Sequence, residues 1–250
     1  MSRSERRLVV YHTADIHSRL GFGAKLAAMV EPDALLVDCG DSLRGSSTLY
    51  RSREPVIAEM RLAPYRAQAV GNREFHYVHR FFARRASLLP APLVCSNLID
   101  LRVGAAPFVR ELRLTVAGVR VRLLALLVPQ YRTGSGWEKV FGWRFLAPAA
   151  ALHELLAGPN AADSSADVTI VLSHLGLAAD RVIASGWPQC AAILGGHSHD
   201  LLLQPEIVNG VPIVHSGAYA RYVGRLTITL APGVAPSFSY RALPLLAPQP

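Results

Sequence analysis

Histidine and aspartate recur in this sequence directly after runs of apolar residues. The clearest case is the stretch 194–200, in which two glycines are followed by His197 and His199. Side chains two residues apart in an extended segment point the same way, so both imidazoles can address one centre. Glycine lets the backbone turn sharply and approach a ligand closely. This spacing favours a pair of histidines that bind the same metal centre.

Four other apolar runs end in residues of the same kind. These residues are Asp15 and His17, Asp41, Asn72, and His174. In a parallel sheet, ligands collect beyond the carboxyl ends of the strands. Nitrogen and oxygen donors without thiolate suit Mn, Fe, Zn or Co better than a structural cysteine-type zinc site, and Mg is a further candidate. The seven residues therefore predict a hydrolytic site with two divalent metal ions.

A two-ion site needs a shared carboxylate when the ions lie about 3.5–4 Å apart, and Asp41 is the natural candidate. Such ions clamp a phosphoryl oxygen and lower the pKa of a bridging water to roughly 7. We therefore expect attack by a metal-bridging hydroxide at a dinuclear centre.

Strands alternate with helices in the first hundred residues, which predicts βαβ crossovers and a parallel sheet. Strands are expected over 8–12, 34–39, 67–70 and 92–96, and helices over 23–30, 54–62 and 77–88. Residues 108–116 and 119–128 alternate around Ala117-Gly118, which predicts a hairpin. A loop is expected over 131–145.

The second half of the chain repeats the pattern and ends in strands. Helices are expected over 147–157 and 177–185, a polar connector over 158–165, and strands over 168–172, 190–194, 212–215, 225–230 and 237–243. We interpret residues 1–243 as one domain with two sheets covered by helices. The proline-rich residues 244–250 are expected to form a loose tail.

Composition limits the possible partners. The formal charge is +8, but the positive residues are scattered arginines with only two lysines, so no specific nucleic-acid binding is expected. No apolar run reaches 18 residues, so no membrane span is expected. The three cysteines lie in apolar runs and predict small buried side chains in a reducing, cytoplasmic location. We expect a small phosphorylated substrate, and the sequence leaves the oligomeric state open.

The order Asp-x-His, Gly-Asp, Gly-Asn-x-Glu, Ser-His and Gly-His-Ser-His resembles the calcineurin-like metallophosphoesterases, and within them the catalytic domain of the 5′-nucleotidase branch. The resemblance covers about residues 8–230. It implies an α/β fold, a four-layer αββα sandwich, and hydrolysis of phosphate mono- or diesters, with nucleotides among the candidate substrates. The resemblance implies one ion held by Asp15, His17, Asp41 and His199, and a second held by Asp41, Asn72, His174 and His197.

The sequence departs from this family at two positions. Arg73 stands where the family has a histidine that protonates the leaving group or steadies the transition state, and His76 replaces the aspartate that partners that histidine. Arginine cannot give up its proton, but it remains a fixed cation suited to phosphoryl oxygens. Without the aspartate, its guanidinium has no local partner and can face substrate. The candidate catalytic residues are Asn72, Arg73 and His76, and the candidate substrate-binding residues are Arg73, Arg44 and Asn97.

A further departure concerns length, because nothing after residue 243 resembles the nucleobase-binding C-terminal domain of the 5′-nucleotidase branch. Two hypotheses follow. The first is a metal-dependent phosphoesterase. The alternative is a catalytically weakened metal-binding scaffold that recognises a phosphorylated ligand or a protein partner.

Overall fold

The chain builds two six-stranded sheets that pack face to face. The structure, a computed structural model, describes residues 5–157 and 166–248. The first sheet comprises β1 (Arg6–Thr13), β2 (Leu35–Asp38), β3 (Tyr65–Ala69), β4 (Leu93–Val94), β13 (Tyr222–Leu230) and β14 (Ser237–Pro244). Their order across the sheet is β14-β13-β1-β2-β3-β4, with parallel pairing from β1 to β4 and antiparallel pairing at β13 and β14.

The second sheet has a parallel centre and antiparallel edges. It comprises β6 (Glu111–Val116), β7 (Val119–Leu127), β9 (Val168–His174), β10 (Ala192–Gly195), β11 (Glu206–Val208) and β12 (Val211–His215). Their order is β11-β12-β10-β9-β7-β6. Strands β7, β9, β10 and β12 pair in parallel, and β6 and β11 pair antiparallel at the two edges. A separate antiparallel pair joins β5 (Leu98–Asp100) to β8 (Trp143–Phe145).

Helices cover the outer face of each sheet. They are α1 (Gly23–Met29), α2 (Val56–Met60), α3 (His79–Leu88), α4 (Gly136–Phe141), α5 (Pro148–Ala157) and α6 (Leu177–Gly186). Apolar residues of α1, α2 and α3 share one hydrophobic core with the first sheet, and those of α5 and α6 share another with the second. A third core lies between the sheets. The layers are therefore helix, sheet, sheet and helix, which confirms the predicted αββα sandwich.

The alternation of side chains along β1 assigns each residue to one of two cores. Leu8 and Val10 lie between the sheets, whereas Val9 and Tyr11 pack in the core beneath the helices. Because both faces are buried, the strand reads as a continuous apolar run in the sequence. This pattern explains why the central strands were predictable.

The hairpin predicted around Ala117 and Gly118 is confirmed. Val116 pairs with Val119, and both turn residues have positive φ, at 48° and 73°. Such angles at both central residues match the twist of the flanking strands. The short elements α4, β5, β8 and β11 were not predicted, because three to six residues are too few to show a hydrophobic period.

The predicted loose tail is wrong at its beginning. Leu245 is buried, and its backbone N–H donates to the carbonyl oxygen of Arg221 at 2.8 Å. Leu246 packs against the core beneath the helices of the first sheet. The predicted connector 158–165 and residues 249–250 lie outside the described residues. Within the described residues, no helix is both long enough and apolar enough to cross a bilayer.

One buried cation fixes the loop that follows β2. Arg85 of α3 is 1% exposed, and its guanidinium donates to four carbonyl oxygens. These belong to Ser46 (3.0 Å), Leu49 (2.7 Å), Glu74 (3.4 Å) and Phe75 (2.7 Å). A buried charge is costly unless it is hydrogen-bonded, and the two terminal nitrogens of the forked guanidinium reach several acceptors at once, although Nε has no partner in the described residues. Arg85 therefore ties the loop after β2 to the loop after β3.

We expect Arg85→Lys to destabilise the fold by about 2–4 kcal/mol, because an ammonium cannot reach all of these carbonyls and leaves buried acceptors unpaired. The free energy of unfolding, measured by urea titration, checks this expectation. Arg84→Lys is the matched control, because Arg84 is the exposed neighbour on the same helix. Equal stabilities of the two variants would contradict the role given to Arg85.

Candidate metal centre

The seven predicted ligands lie where five parallel strands end. Asp15 and His17 follow β1, Asp41 follows β2, Asn72 follows β3, His174 ends β9, and His197 and His199 follow β10. Backbone hydrogen bonds join these loops in pairs. Asp15 N–H donates to Gly40 O at 2.9 Å, and Gly196 N–H donates to Ser173 O at 2.9 Å. Both sheets therefore present their loops to one region.

The backbone at most of these positions is in the left-handed region. The φ angles are 51° at Asp15, 49° at His17, 59° at Asp41, 74° at His197 and 60° at His199. Non-glycine residues adopt such angles at a cost of roughly 1–3 kcal/mol each and do so mainly where the surroundings impose them. The concentration of five such residues at one place marks it as a functional site.

Three side chains converge on the side of β1. The Nε2 atoms of His17 and His199 lie 2.8 Å apart, and they lie 3.7 Å and 3.5 Å from Asp15 Oδ1. These three ligand atoms fall within 4.8 Å of one another. Asp15 is completely buried, whereas the side chain of His199 is 38% exposed. The group combines a buried anion with a face that is open to solvent.

A second group shares Asp15 and lies deeper in the protein. It consists of Asp15, Asp41 and His174, whose ligand atoms also lie within 4.8 Å of one another. Nε2 of His174 lies 3.3 Å from Asp41 Oδ1, while its Nδ1 lies 2.8 Å from the carbonyl oxygen of Cys39. The carbonyl fixes the ring so that Nε2 faces the carboxylates. The residue common to both groups is thus Asp15, whereas Asp41 was the expected shared ligand.

His197 and Asn72 lie beside these groups rather than within them. The backbone N–H of His197 donates to Asp15 Oδ2 at 2.8 Å, and its ring centroid is 5.1 Å from that of His174. Asn72 Oδ1 accepts a hydrogen bond from Gln130 Nε2 at 3.3 Å. Gln130 was not predicted, and the contact gives the Asn72 amide a defined orientation.

The electrostatics of the centre favour a cation. Burial raises the pKa of Asp15 to about 7, and the charge of Asp41 adds to this effect. Burial also opposes the charge of Asp41, but its contact with His174 prevails and lowers its pKa to about 2. Burial acts against a charged His174, yet Asp41 and Asp15 raise its pKa to about 9. Burial lowers the pKa of His17 to about 4, which leaves its imidazole neutral at pH 7.

The donor set fits divalent metal ions. Asp15 Oδ1 and His174 Nε2 are buried atoms that make no hydrogen bond in the described part of the chain. Buried polar atoms normally have partners, so two such atoms aimed at one point call for another partner. Imidazole and carboxylate donors suit Mn, Fe, Zn or Co. A divalent cation would satisfy both atoms and relieve the repulsion between the two carboxylates.

Sequence reasoning gave no role to Glu74, which binds the backbone of the loops that carry Asp41 and Asn72. Its carboxylate is fully buried and accepts four backbone hydrogen bonds. The donors are the N–H groups of Asp41 (2.7 Å), Ser42 (2.9 Å), Leu43 (3.2 Å) and Gly71 (3.0 Å). Burial, followed by the charge of Asp41, raises the pKa of Glu74. The available signal was the carboxylate in Gly-Asn-x-Glu, two residues after a predicted ligand.

A buried polar chain supports the opposite sheet. His215 Nε2 lies 2.7 Å from Asp180 Oδ2, and the other carboxylate oxygen of Asp180 accepts a hydrogen bond from the Ser173 hydroxyl. All three residues are at most 1% exposed. Because Ser173 directly precedes His174, this chain holds the end of β9 in place. Asp180 was not predicted, because an aspartate in the first turn of a helix usually serves the helix itself.

Arg73 lies beside the centre. Contrary to expectation, its guanidinium has local partners. Its Nε lies 3.7 Å from Asp41 Oδ2, its Nη1 donates to the carbonyl oxygen of Arg44 at 3.4 Å, and its side chain is 37% exposed. Its backbone N–H donates to Asp41 Oδ1 at 2.8 Å. Arg44 is exposed on the adjacent loop. Arg73 therefore places a cation at the edge of the centre, partly open to solvent.

The structure contradicts the roles expected for Asn97 and His76. Asn97 is fully buried, and its amide bonds the backbone of Leu127 and Leu146, so it cannot reach a substrate. His76 is 3% exposed, and its Nδ1 accepts a hydrogen bond from Val78 N–H. Its ring packs 5.0 Å from Phe81. A proton donor must reach the leaving group, and His76 is instead part of the packed interior.

Curated relatives of the chain are metallophosphoesterases and 5′-nucleotidases, although no family model matches the chain. An uncharacterized metallophosphoesterase of Bacillus subtilis is 26% identical over 246 residues, which cover 90% of this chain and 51% of that protein. The 5′-nucleotidase of Rattus norvegicus is 26% identical over 272 residues, which cover 88% of this chain and 46% of that protein. The chain spans about half the length of the curated relatives it matches.

Solved structures share the fold of the chain. A 5′-nucleotidase precursor from Thermus thermophilus has a TM-score of 0.76 at 25% identity, and the match covers 96% of this chain and 54% of that one. The calcineurin-like phosphoesterase YfkN from Bacillus subtilis has a TM-score of 0.73 at 20% identity, and the match covers 96% and 91% of the two chains. The chain thus has the fold of the calcineurin-like phosphoesterases, and its homologues are metallophosphoesterases and 5′-nucleotidases.

Proposed function

We propose that the chain is a phosphoric ester hydrolase that uses two divalent metal ions and acts on phosphate mono- or diesters, with nucleotides among the candidates. The observation that supports this most is the convergence of two groups of ligand atoms that share Asp15, each group within 4.8 Å. The similarity to metallophosphoesterases and 5′-nucleotidases supports the same activity. Three free, buried cysteines support a cytoplasmic location as part of this proposal.

Within this proposal, Asp15, His17, Asp41 and His199 would hold one ion, and Asp41, Asn72, His174 and His197 would hold the other, so Asp41 would be common to both sets. When bound, ions of this kind supply a hydroxide nucleophile at neutral pH and offset charge on the phosphoryl oxygens. One oxygen of each carboxylate accepts a backbone N–H, Asp15 Oδ2 from His197 and Asp41 Oδ1 from Arg73, so these hydrogen bonds do not distinguish the two. The choice of Asp41 as the shared ligand rests on the resemblance to the metallophosphoesterases.

Arg73 is the side chain that we assign to the phosphoryl group. Its guanidinium is partly exposed beside Asp41, where a phosphate bound at the centre would lie within its reach. A fixed cation stabilises charge that develops on phosphoryl oxygens. A guanidinium is not an acid that could protonate a departing alkoxide. Arg73 therefore supplies electrostatic stabilisation without acid catalysis.

The alternative function is a metal-binding protein that holds a phosphorylated ligand without hydrolysing it. One observation favours it: neither Arg73 nor the buried His76 can deliver a proton to a leaving group. The two functions share the same metal site, so metal content alone does not separate them. Turnover on activated substrates does.

We expect hydrolysis of p-nitrophenyl phosphate or its bis ester after addition of Mn²⁺, Zn²⁺ or Mg²⁺, and loss of that activity on chelation. The physical reason is that the proposed nucleophile depends on the ions. His199→Ala should lower both activity and metal content, whereas His153→Ala, on the exposed face of α5, should change neither. Metal binding with turnover no faster than buffer plus metal would favour the alternative function.

Asp41→Asn should lower kcat by more than about a hundredfold, since even the loss of a ligand's hydrogen-bonding partner costs 10–100-fold. It should also reduce the metal content of the purified protein from two ions per chain. Metal analysis of Asp41→Asn beside Asp15→Asn identifies the shared ligand, with the exposed Asp33→Asn as control. Two ions retained in Asp41→Asn but lost in Asp15→Asn would transfer the shared position to Asp15.

Arg73→Gln should lower kcat/KM for p-nitrophenyl phosphate by about 10²–10³-fold, the usual effect of removing one donor to a developing oxyanion. The unchanged protein should prefer p-nitrophenyl phosphate and pyrophosphate bonds over a 5′-mononucleotide. A nitrophenolate is stable as an anion, and a phosphate leaving group has its second pKa near 6, so neither needs a proton at neutral pH. Equal rates on a mononucleotide and p-nitrophenyl phosphate would show that another group acts as the acid.

A further inference from the structure

A concave surface adjoins the candidate metal centre on the side of His17 and His199. It has a volume of about 230 Å³, and we call it the arginine pocket. Its lining residues are Arg19, Tyr219, Arg221 and Pro248. The ring centroid of Tyr219 lies 5.4 Å from that of His17 and 5.6 Å from that of His199. Tyr219 is therefore the wall that the pocket shares with the centre.

The backbone fixes the position of this wall. Tyr219 lies in the loop after β12, where Gly217, Tyr219 and Ala220 have φ angles of 75°, 60° and 49°. A left-handed conformation is unfavourable for a bulky residue and persists only where the surroundings impose it. The N–H of Tyr219 donates to the carbonyl oxygen of Asp15 at 2.8 Å, which ties the loop to the metal centre. The Tyr219 side chain nevertheless remains 39% exposed.

Two guanidinium groups flank Tyr219 with most of their donors available. Arg19 Nη2 donates to the carbonyl oxygen of Ala247 at 3.1 Å, and Arg221 Nε donates to that of Ala218 at 3.4 Å. Each guanidinium carries five N–H donors, so several remain. Within residues 5–157 and 166–248, neither arginine forms an ion pair with a carboxylate. Two cations without a counter-charge in one concavity are suited to an anion, and arginine forks match phosphate oxygens.

We propose that the arginine pocket binds a second phosphate group of the substrate, next to the phosphoryl group that is attacked. This inference rests on the proposed function and narrows its substrate class to compounds with adjacent phosphates, such as inorganic pyrophosphate or a nucleoside diphosphate. Hydrolysis adds the oxygen of water to one phosphorus and breaks the bridging P–O bond. The second phosphate leaves with the bonding electron pair, the protons of water pass to the two phosphate products and solvent, and nothing is oxidised or reduced.

The pocket also explains how a centre without an acid can release its product. A departing phosphate has its second pKa near 6, so it leaves as an anion at neutral pH. Arg19 and Arg221 would stabilise that anion where it forms, while Arg73 faces the attacked phosphoryl group from the side of Asp41. Arg73 would thus offset the charge of the attacked phosphoryl group, and Arg19 and Arg221 would offset that of the departing phosphate.

The test compares kcat/KM for inorganic pyrophosphate with kcat/KM for p-nitrophenyl phosphate, which has no second phosphate. In the double variant Arg19→Gln with Arg221→Gln, the pyrophosphate-to-nitrophenyl ratio should fall about tenfold to a hundredfold, since charge-assisted hydrogen bonds are lost. The loss should appear in KM, because the second phosphate is bound more weakly, and in kcat, because the departing anion loses its counter-charge. The double lysine variant should recover part of it. Arg66→Gln with Arg84→Gln removes the same charge from exposed positions and should keep the ratio.

A ratio unchanged in the glutamine variant, or a fall equal to that of the control variant, would overturn the inference. Absence of turnover on every substrate with every metal would instead mean that the proposed function has failed. In that case the pocket is tested by calorimetric titration with inorganic pyrophosphate in the presence of metal. Binding that weakens about tenfold in the Arg19–Arg221 variant supports the pocket. No binding, or equal binding by both proteins, overturns it.

Discussion

The buried carboxylate of Glu74 is the constraint on which the candidate centre depends. It accepts backbone hydrogen bonds from the loops after β2 and β3, with donors at Asp41, Ser42, Leu43 and Gly71. A buried charge is costly unless its lone pairs are satisfied, so these two loops cannot separate without a large penalty. Asp41 is thereby held close to the loop that carries Asn72 and Arg73. Arg85 binds carbonyl groups of the same two loops. The Glu74 carboxylate thus holds their N–H groups, and the Arg85 guanidinium holds their carbonyl groups.

This support accounts for the unfavourable backbone of the ligands. Five of the seven predicted ligands have positive φ. Such strain of roughly 1–3 kcal/mol per residue is stable only on a rigid scaffold. Two sheets buried on both faces, with a shared core between them, provide that rigidity. The same backbone strain occurs at Tyr219, which lines the arginine pocket.

The fold, and the convergence of Asp15, His17, Asp41, His174 and His199, could be predicted from the sequence because both follow local patterns. Continuous apolar runs mark the buried strands, and ligand-type residues directly after them mark the carboxyl edge of the sheets. Groups that act across the fold leave no such pattern. Asp180 resembles an ordinary helix carboxylate in the sequence. Glu74 belongs to the Gly-Asn-x-Glu motif, but the motif does not reveal the backbone groups that Glu74 binds. The importance of both residues arises from burial that only the packing reveals. The prediction for Asn97 was wrong for the opposite reason. A polar residue at a strand end can hydrogen-bond the backbone of neighbouring strands instead of a substrate, as the Asn97 amide does with Leu127.

The distribution of arginine decides what kind of anion the protein is suited to. The formal charge is +8, but many arginines are paired with carboxylates on the surface, as in Arg6–Asp167, Arg110–Glu154, Arg181–Glu206 and Arg225–Glu31. Exposed pairs of this kind add little stability, but they do cancel the field of the cations involved. A nucleic acid requires a continuous basic surface that follows its backbone. Arg73 instead lies beside Asp41, and Arg19 and Arg221 line one small pocket next to His17 and His199. Under the proposed function, this arrangement supports a compact phosphorylated substrate.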